Sequence, residues 1–143
     1  MDESGLSTVQ ATQKIIALKG KKQVGAATSA ERGVHCTDVC CMSSAGTFIP
    51  PCIIFPGKRW KAELGDSGPA GTLNLCQESG WMTGELFHRW LRHFVEYAAP
   101  GPENKVLLLL DGHASHKYYE AVRYARESGV IMLCFPPHCT HRM

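Results

Sequence analysis

The sequence has no long hydrophobic run, no internal repeat and no low-complexity segment. Its longest aliphatic run is the stretch Val106–Leu110, whereas a membrane helix needs about 18 apolar residues, so we expect no membrane partner. No apolar segment of the signal-peptide type follows the first residues, and we expect no such peptide. The length of 143 residues is typical of one globular domain.

An even set of cysteines is also missing, because the chain has seven. A disulfide scaffold would use an even number in a smaller chain, so a reducing compartment, the cytosol or the nucleus, fits better. The net charge is only +2, but residues 1–61 carry 8 basic and 4 acidic residues and residues 62–143 carry 7 and 9. The basic first part is a weak indication of a polyanionic partner.

The first half of the chain has the alternating pattern of β-strands. It predicts a hairpin of strands at Gly33–Met42 and Thr47–Phe55. Pro50-Pro51 inside the second strand predicts an edge position or a bulge, because proline cannot donate to a sheet ladder. A further short strand is predicted at Thr72–Cys76.

The second half alternates between helix and strand patterns. Thr83 is a good N-cap for a helix to about Ala98, and Ser115 is a candidate cap for a second helix. Apolar strands are predicted at Lys105–Leu110 and Val130–Phe135, the first one covered on both faces. Because a helix connects these two strands, they should be parallel. The whole chain is therefore predicted as an α/β fold with a mixed sheet and flanking helices.

Asp111 is the most informative single position. It follows four leucines directly and precedes Gly112-His113-Ala114-Ser115-His116. Ligands bind at the carboxyl ends of strands in open α/β sheets, which favours a functional carboxylate. The alternative is that Asp111 only caps the turn that follows, a common role for aspartate.

Five segments together resemble one family. They are Met-Asp-Glu-Ser-Gly-Leu at 1–6, Gly-Thr-Phe-Ile-Pro-Pro at 46–51, Ser-Gly-Trp-Met-Thr at 79–83, Leu-Leu-Leu-Leu-Asp-Gly-His-Ala-Ser-His at 107–116 and Phe-Pro-Pro-His-Cys-Thr-His at 135–141. The chain resembles the DDE superfamily endonuclease domain of pogo, Tigger and jerky-type transposases over nearly its whole length. The last two segments are the most specific.

The resemblance implies a ribonuclease-H-like fold in which three acidic residues hold two divalent metal ions. Asp2 matches the first acid and Asp111 the second. In the family the third acid follows in a Gln-Pro-Leu-Asp pattern, which does not occur before Met143. The first strand is expected to be missing, because only Met1 precedes Asp2. Glu3 and Asp38 are expected to be poor substitutes for the third acid, since Glu3 should point away from the side of Asp2.

The implied chemistry is phosphodiester cleavage and strand transfer with Mg²⁺ or Mn²⁺. Two metal ions about 3.5–4 Å apart can activate a nucleophile and stabilise the leaving oxygen, and Mg²⁺ prefers carboxylate oxygens. We expect residues 1–143 to be a partial domain, cut at both ends and inactive alone. The alternative is a non-catalytic module, derived from such an element, that binds nucleic acid or protein. The expected partner is DNA, with a possible homo-oligomer, and the expected location is the nucleus.

Four histidines accompany the specific motifs: His113, His116, His138 and His141. They form two His-x-x-His pairs, and with Cys139 they allow a zinc site. The spacing matches no standard zinc pattern, so the favoured role is hydrogen bonding around the acidic residues or contact with DNA phosphate.

One loop combines three cations and an aromatic ring: Lys58, Arg59, Trp60 and Lys61. It is a candidate to follow a DNA backbone, with Trp60 stacked on an unpaired base. The alternative is a solvated loop in which Trp60 packs against the sheet.

Overall fold

A computed structural model describes residues 1–7, 19–20 and 34–135 of the chain. Within these residues the elements are β1 (Asp2–Ser7), β2 (His35–Met42), β3 (Phe48–Pro56), β4 (Leu73–Gln77), α1 (Gly84–Ala98), β5 (Val106–Leu110), α2 (Tyr119–Glu127) and β6 (Val130–Cys134). Short 3-10 turns lie at Ala62–Leu64 and Ala114–Lys117.

Four of the strands form a mixed sheet in the order β1-β2-β3-β4, in which only β3 and β4 are parallel. Strands β5 and β6 form a second, parallel sheet. The predicted mixed α/β architecture is thus confirmed, and it is consistent with a ribonuclease-H-like fold. The expectation that the first strand is missing was wrong, because Asp2–Ser7 pairs with β2 along its full length.

The hairpin of β2 and β3 contains the predicted irregularity. Its register shifts between Val39 and Cys41, opposite Pro50-Pro51. Pairing of β3 with β4 begins only at Cys52, so the two prolines precede the part of β3 that has partners on both sides. The carbonyl of Pro50 lies 2.9 Å from Nε2 of His93 on α1, which joins the bulge to the helix.

Helix α1 covers one face of the four-stranded sheet. The side chain of Thr83 accepts a hydrogen bond from the Leu86 N–H at 3.3 Å, as expected of an N-cap. The apolar stripe of the helix places large side chains in the core, among them the fully buried Trp90 and Phe87. They pack with buried sheet residues such as Val39 and Ile54, so that burial of this face stabilises both elements.

The β5-α2-β6 unit has the predicted parallel strands. Leu108 and Leu110 are buried, but Leu107 is 56% exposed and Leu109 is 41% exposed. The expectation that β5 is covered on both faces was therefore wrong. The helices pack on one face only, and within the described residues no element covers the other.

The expectation that Ser115 caps the second helix was also wrong. Ser115 lies inside the 3-10 turn, and α2 begins at Tyr119. The turn is capped by His113, whose Nδ1 faces the Ser115 N–H at 3.4 Å and the Ser115 hydroxyl at 2.7 Å. The histidine side chain thus caps the 3-10 turn, whereas α2 begins after Tyr118 without a side-chain cap.

Candidate active site

Asp111 lies directly after β5, at the carboxyl end of a parallel strand. Its Oδ1 accepts a hydrogen bond from the His113 N–H at 3.1 Å, so it does stabilise the turn that follows. The side chain is nevertheless 40% exposed. The carboxylate is therefore oriented by the turn and still accessible to a ligand.

His116 holds Asp111 from the buried side. Its Nδ1 lies 3.0 Å from the Asp111 Oδ1 and 3.0 Å from the Asp111 carbonyl oxygen. Both partners are acceptors, so Nδ1 carries the proton and donates. The imidazole is almost fully buried and packs on the Phe87 ring at 4.6 Å between centroids, which fixes its plane.

The other nitrogen of the same ring faces Glu3. The His116 Nε2 lies 3.4 Å from the Glu3 Oε1, long for an aligned hydrogen bond but short for two charged groups. Both atoms are buried and have no hydrogen-bond partner by strict geometry. Since Nδ1 already donates to Asp111, a proton must lie between Nε2 and Oε1 to avoid repulsion between two acceptors.

The surroundings of His116 favour its charged form. Burial alone would lower the pKa of His116, but the contact with Glu3 and the backbone and carboxylate oxygens of Asp111 together raise it above the ordinary value. The three side chains form a connected chain, Glu3–His116–Asp111, with the imidazole in the centre.

Asp2 and Glu3 lie on opposite faces of β1. Glu3 pairs with the buried Val39, on the side that α1 covers, and Asp2 pairs with the exposed Cys40. The expectation that Glu3 points away from Asp2 agrees with this register. The sequence analysis missed the contact of Glu3 with His116. Only the alternation of β1 hinted at it, because nothing in the sequence identifies which helix lies above that face.

The start of β1 lies beside the end of β5. The Met1 amino group donates to the Leu109 carbonyl oxygen at 3.1 Å. Asp2 directly follows Met1, and Asp111 comes two residues after Leu109, so this contact brings the two segments together. The Asp2 Oδ1 accepts from the Glu3 N–H at 3.0 Å, and the side chain is exposed.

Carboxylate oxygens are the donors that hard divalent cations prefer, so the residues present fit such a metal in kind. In number they are incomplete over 1–7, 19–20 and 34–135. No group of three or more His, Cys, Asp or Glu side chains in those ranges is arranged to hold a metal ion. The assignment of Asp2 and Asp111 as metal ligands stays a prediction.

Among the predicted histidines, only His113 and His116 belong to the described part of the chain. His113 is exposed and touches Asp111 through its backbone N–H, while its ring faces Ser115. His138 and His141 lie outside the described residues. The role of all four as supporting or phosphate-contacting groups stays a prediction.

The loop with the cationic residues follows β3. Lys58 pairs with Glu78 at 3.3 Å, and both side chains are exposed. The Trp60 ring lies 5.6 Å from the Phe55 ring between centroids but is still 42% exposed. The indole thus packs partly on the sheet and partly faces solvent.

The same loop and Asp2 lie at different ends of the sheet. Asp2 pairs with Cys40, whereas Ser7 pairs with His35, near the level at which β3 ends. Five residues of extended strand separate these levels along β1, about 17 Å at about 3.4 Å per residue.

Comparison with known proteins identifies the family. Residues 34–143, about three quarters of the chain, match the family model of the DDE superfamily endonucleases. The chain therefore belongs to this superfamily and contains a DDE endonuclease domain. Nucleases of the superfamily generally use divalent metal ions. The matched range includes Asp111 and begins after Asp2.

A curated relative comes from Cochliobolus lunatus and is named MFS-type transporter clz9. It is 31% identical over 104 residues, which are 70% of this chain and 11% of that protein. The chain thus spans about a ninth of the length of this relative. No helix in the described ranges is both long and apolar enough to cross a bilayer. No solved structure matches the chain.

Proposed function

We propose that this chain is part of the catalytic core of a transposase-type DDE endonuclease of the pogo, Tigger and jerky kind, with DNA as its substrate. The observation that carries the proposal is the position of Asp111 after β5, beside the strand that begins with Asp2. Membership of the DDE superfamily supports the assignment of Asp111, which lies inside the matched range, while the assignment of Asp2 rests on the resemblance of the first segment and on its position beside β5.

In the complete domain, Asp2 and Asp111 would hold Mg²⁺ or Mn²⁺ together with a third acidic residue. Bound divalent ions activate the nucleophile and stabilise the leaving oxygen of a phosphodiester. The residues of this chain have a simpler task. Asp2 presents its carboxylate to solvent, and Asp111 is held by the His113 backbone and by the buried His116. A carboxylate held in this way binds a cation with little loss of conformational entropy.

The loop of Lys58, Arg59, Trp60 and Lys61 would contact the DNA backbone away from the cleavage point. Its distance from Asp2 along the sheet, about 17 Å at the usual rise of a strand, corresponds to several nucleotides of duplex, since each strand rises about 3.4 Å per nucleotide. The same proposal places the protein in the nucleus and allows a homo-oligomer. Sedimentation velocity would determine the oligomeric state.

Cleavage of DNA is the decisive test. We expect Mg²⁺- or Mn²⁺-dependent cleavage of DNA by the protein that contains residues 1–143. Asp111→Asn should lower the rate by about a thousandfold, because metal ions supply several kcal/mol of transition-state stabilisation and about 1.4 kcal/mol is tenfold. The control is Glu103→Gln, an exposed acid in the loop at the other end of β5. Equal rates for Asp111→Asn and wild type would refute the proposal.

A second candidate function is a binding module without nuclease activity. It is favoured by one observation, that residues 1–7, 19–20 and 34–135 contain no group of three metal-binding side chains. This alternative predicts DNA or protein binding that survives Asp111→Asn and no cleavage with either metal. Fluorescence anisotropy with labelled DNA, measured beside the cleavage assay, distinguishes the two functions.

A further inference from the structure

We infer that Glu3 is a positioning residue, which fixes the carboxylate of Asp111 through the imidazole of His116. The expected effect on metal binding rests on the proposed function, in which Asp111 is a metal ligand. The structural basis of the inference is independent of the metal. It is the chain of contacts from the Glu3 Oε1 to the His116 Nε2 at 3.4 Å, and from the His116 Nδ1 to Asp111 at 3.0 Å.

Among the three side chains in contact, the imidazole of His116 is the most deeply buried. The His116 side chain is 1% exposed, that of Glu3 is 18% exposed and that of Asp111 is 40% exposed. The carboxylate of Asp111 is therefore accessible to a ligand, whereas that of Glu3 has little access to bulk water for hydrogen bonding. A buried carboxylate without a partner is costly, which favours the orientation of Glu3 toward the His116 Nε2.

The packing around His116 leaves its ring few alternatives. The Phe87 ring lies against it at 4.6 Å, and the His116 backbone N–H bonds to the His113 carbonyl at 3.2 Å. Packing on Phe87 fixes the plane of the ring, but without a partner for Nε2 a half-turn about the Cβ–Cγ bond would still exchange Nδ1 for Cδ2. The Glu3 carboxylate removes that freedom and keeps Nδ1 directed at Asp111. Groups that orient metal ligands typically contribute 10–100-fold to metal affinity.

The position of Glu3 in β1 explains why it reaches the imidazole. It pairs with Val39 on the covered face of the sheet, whereas Asp2 and Ser4 lie on the other face. Two adjacent acids thus act from opposite sides of one strand. Asp2 is directed to solvent, whereas Glu3 contacts His116 on the covered face and through it orients Asp111.

The test uses the chain as it is, with Mn²⁺ as the probe and electron paramagnetic resonance to count the free ion. Glu3→Ala removes the carboxylate. Glu3→Leu keeps most of the side-chain volume at the position paired with Val39, so it remains informative if Glu3→Ala does not fold. Both should weaken Mn²⁺ binding by about 10–100-fold. Glu3→Gln should recover most of the affinity, because its amide can donate to an unprotonated Nε2 or its oxygen can accept from a protonated one.

Two control variants separate this effect from damage to the strand and from loss of charge. Ser4→Ala changes the neighbouring residue on the exposed face of β1, and Glu103→Ala removes an exposed carboxylate elsewhere. Both should bind Mn²⁺ as wild type does. Asp111→Asn should abolish the same binding.

A second measurement does not depend on the metal. The proton on His116 Nδ1 should be visible by NMR in wild type and Glu3→Gln, because the ring is held and shielded from solvent. It should be lost through exchange with water in Glu3→Ala and Glu3→Leu. Retention of the signal, together with unchanged Mn²⁺ affinity in these two variants, would overturn the inference.

The two failures are distinguishable. If wild type and Asp111→Asn bind Mn²⁺ equally, the proposed metal site fails. The role of Glu3 is then decided by the Nδ1 proton alone, whose loss in Glu3→Leu supports positioning and whose retention contradicts it.

Discussion

Each face of β5 carries two leucines, and the two pairs have opposite environments. Leu108 and Leu110 are buried under the helices, whereas Leu107 and Leu109 are largely exposed. The same asymmetry continues in the paired strand, where Val130 is buried and Ile131 is half exposed. A run of leucines therefore indicates how much apolar surface a strand has, but it does not show whether one or both of its faces pack against other elements.

The largest difference in stability between the two faces should come from shortening leucine side chains of β5 to alanine. Leu108→Ala should lower the free energy of unfolding by about 2–5 kcal/mol, because it leaves a cavity in a packed core. Leu107→Ala should change it by less than about 1 kcal/mol, since its side chain already meets solvent. Urea unfolding of the two variants measures both values. Similar losses for both leucines would mean that the exposed face is covered in solution.

His116, a polar residue on the covered side, should have a smaller, pH-dependent effect on the stability of the fold. The folded-state pKa of His116 is raised above its unfolded value of about 6.5. Its contribution to stability is therefore fully present below about pH 6.5 and is lost as pH rises through the folded pKa. The urea midpoint of wild type should fall over that range relative to His116→Gln. The control is His35→Gln, which changes an exposed imidazole at the start of β2 and should leave the fall in midpoint as it is in wild type. A difference that grows with pH would contradict the assigned direction.

The mildest comparison uses thiols on the two faces of the four-stranded sheet. Burial raises the pKa of the Cys52 thiol to about 12, and the residue is fully buried. Cys40 is exposed, although burial of its thiol and the nearby Asp38 raise its pKa as well. We expect iodoacetamide to modify Cys40 slowly and Cys52 only after unfolding. Peptide mapping by mass spectrometry reads out both sites, and early labelling of Cys52 would show that the covered face opens.

Local patterns predicted most of the elements because their causes are local. Thr83 caps α1 through its own side chain, and the two prolines of β3 produce an irregular register where they lack N–H groups. The parallel pairing of β5 and β6 follows from the helix between them. Each of these features depends on residues close together in the chain.

The features that could not be predicted depend on residues far apart in the chain. Whether Leu109 is covered depends on which element packs there, and the direction of Glu3 has meaning only once His116 lies above it. The cap of the 3-10 turn depends on a competition between His113 and Ser115 that side-chain geometry decides. The family resemblance indicated Asp2 and Asp111 as a pair, but not the imidazole contact that links Glu3 to Asp111.

The bulge opposite Pro50 has a consequence for how this domain tolerates length changes. The Pro50 carbonyl bonds to His93, so one peptide unit sets both the hairpin register and the docking point of α1. A single residue inserted beside it would turn every later side chain of β3 to the other face. Ile54 would then leave the core for the exposed face of the sheet. Insertions in this domain should therefore be confined to its loops, and the diproline marks a position where the chain can be neither lengthened nor shortened.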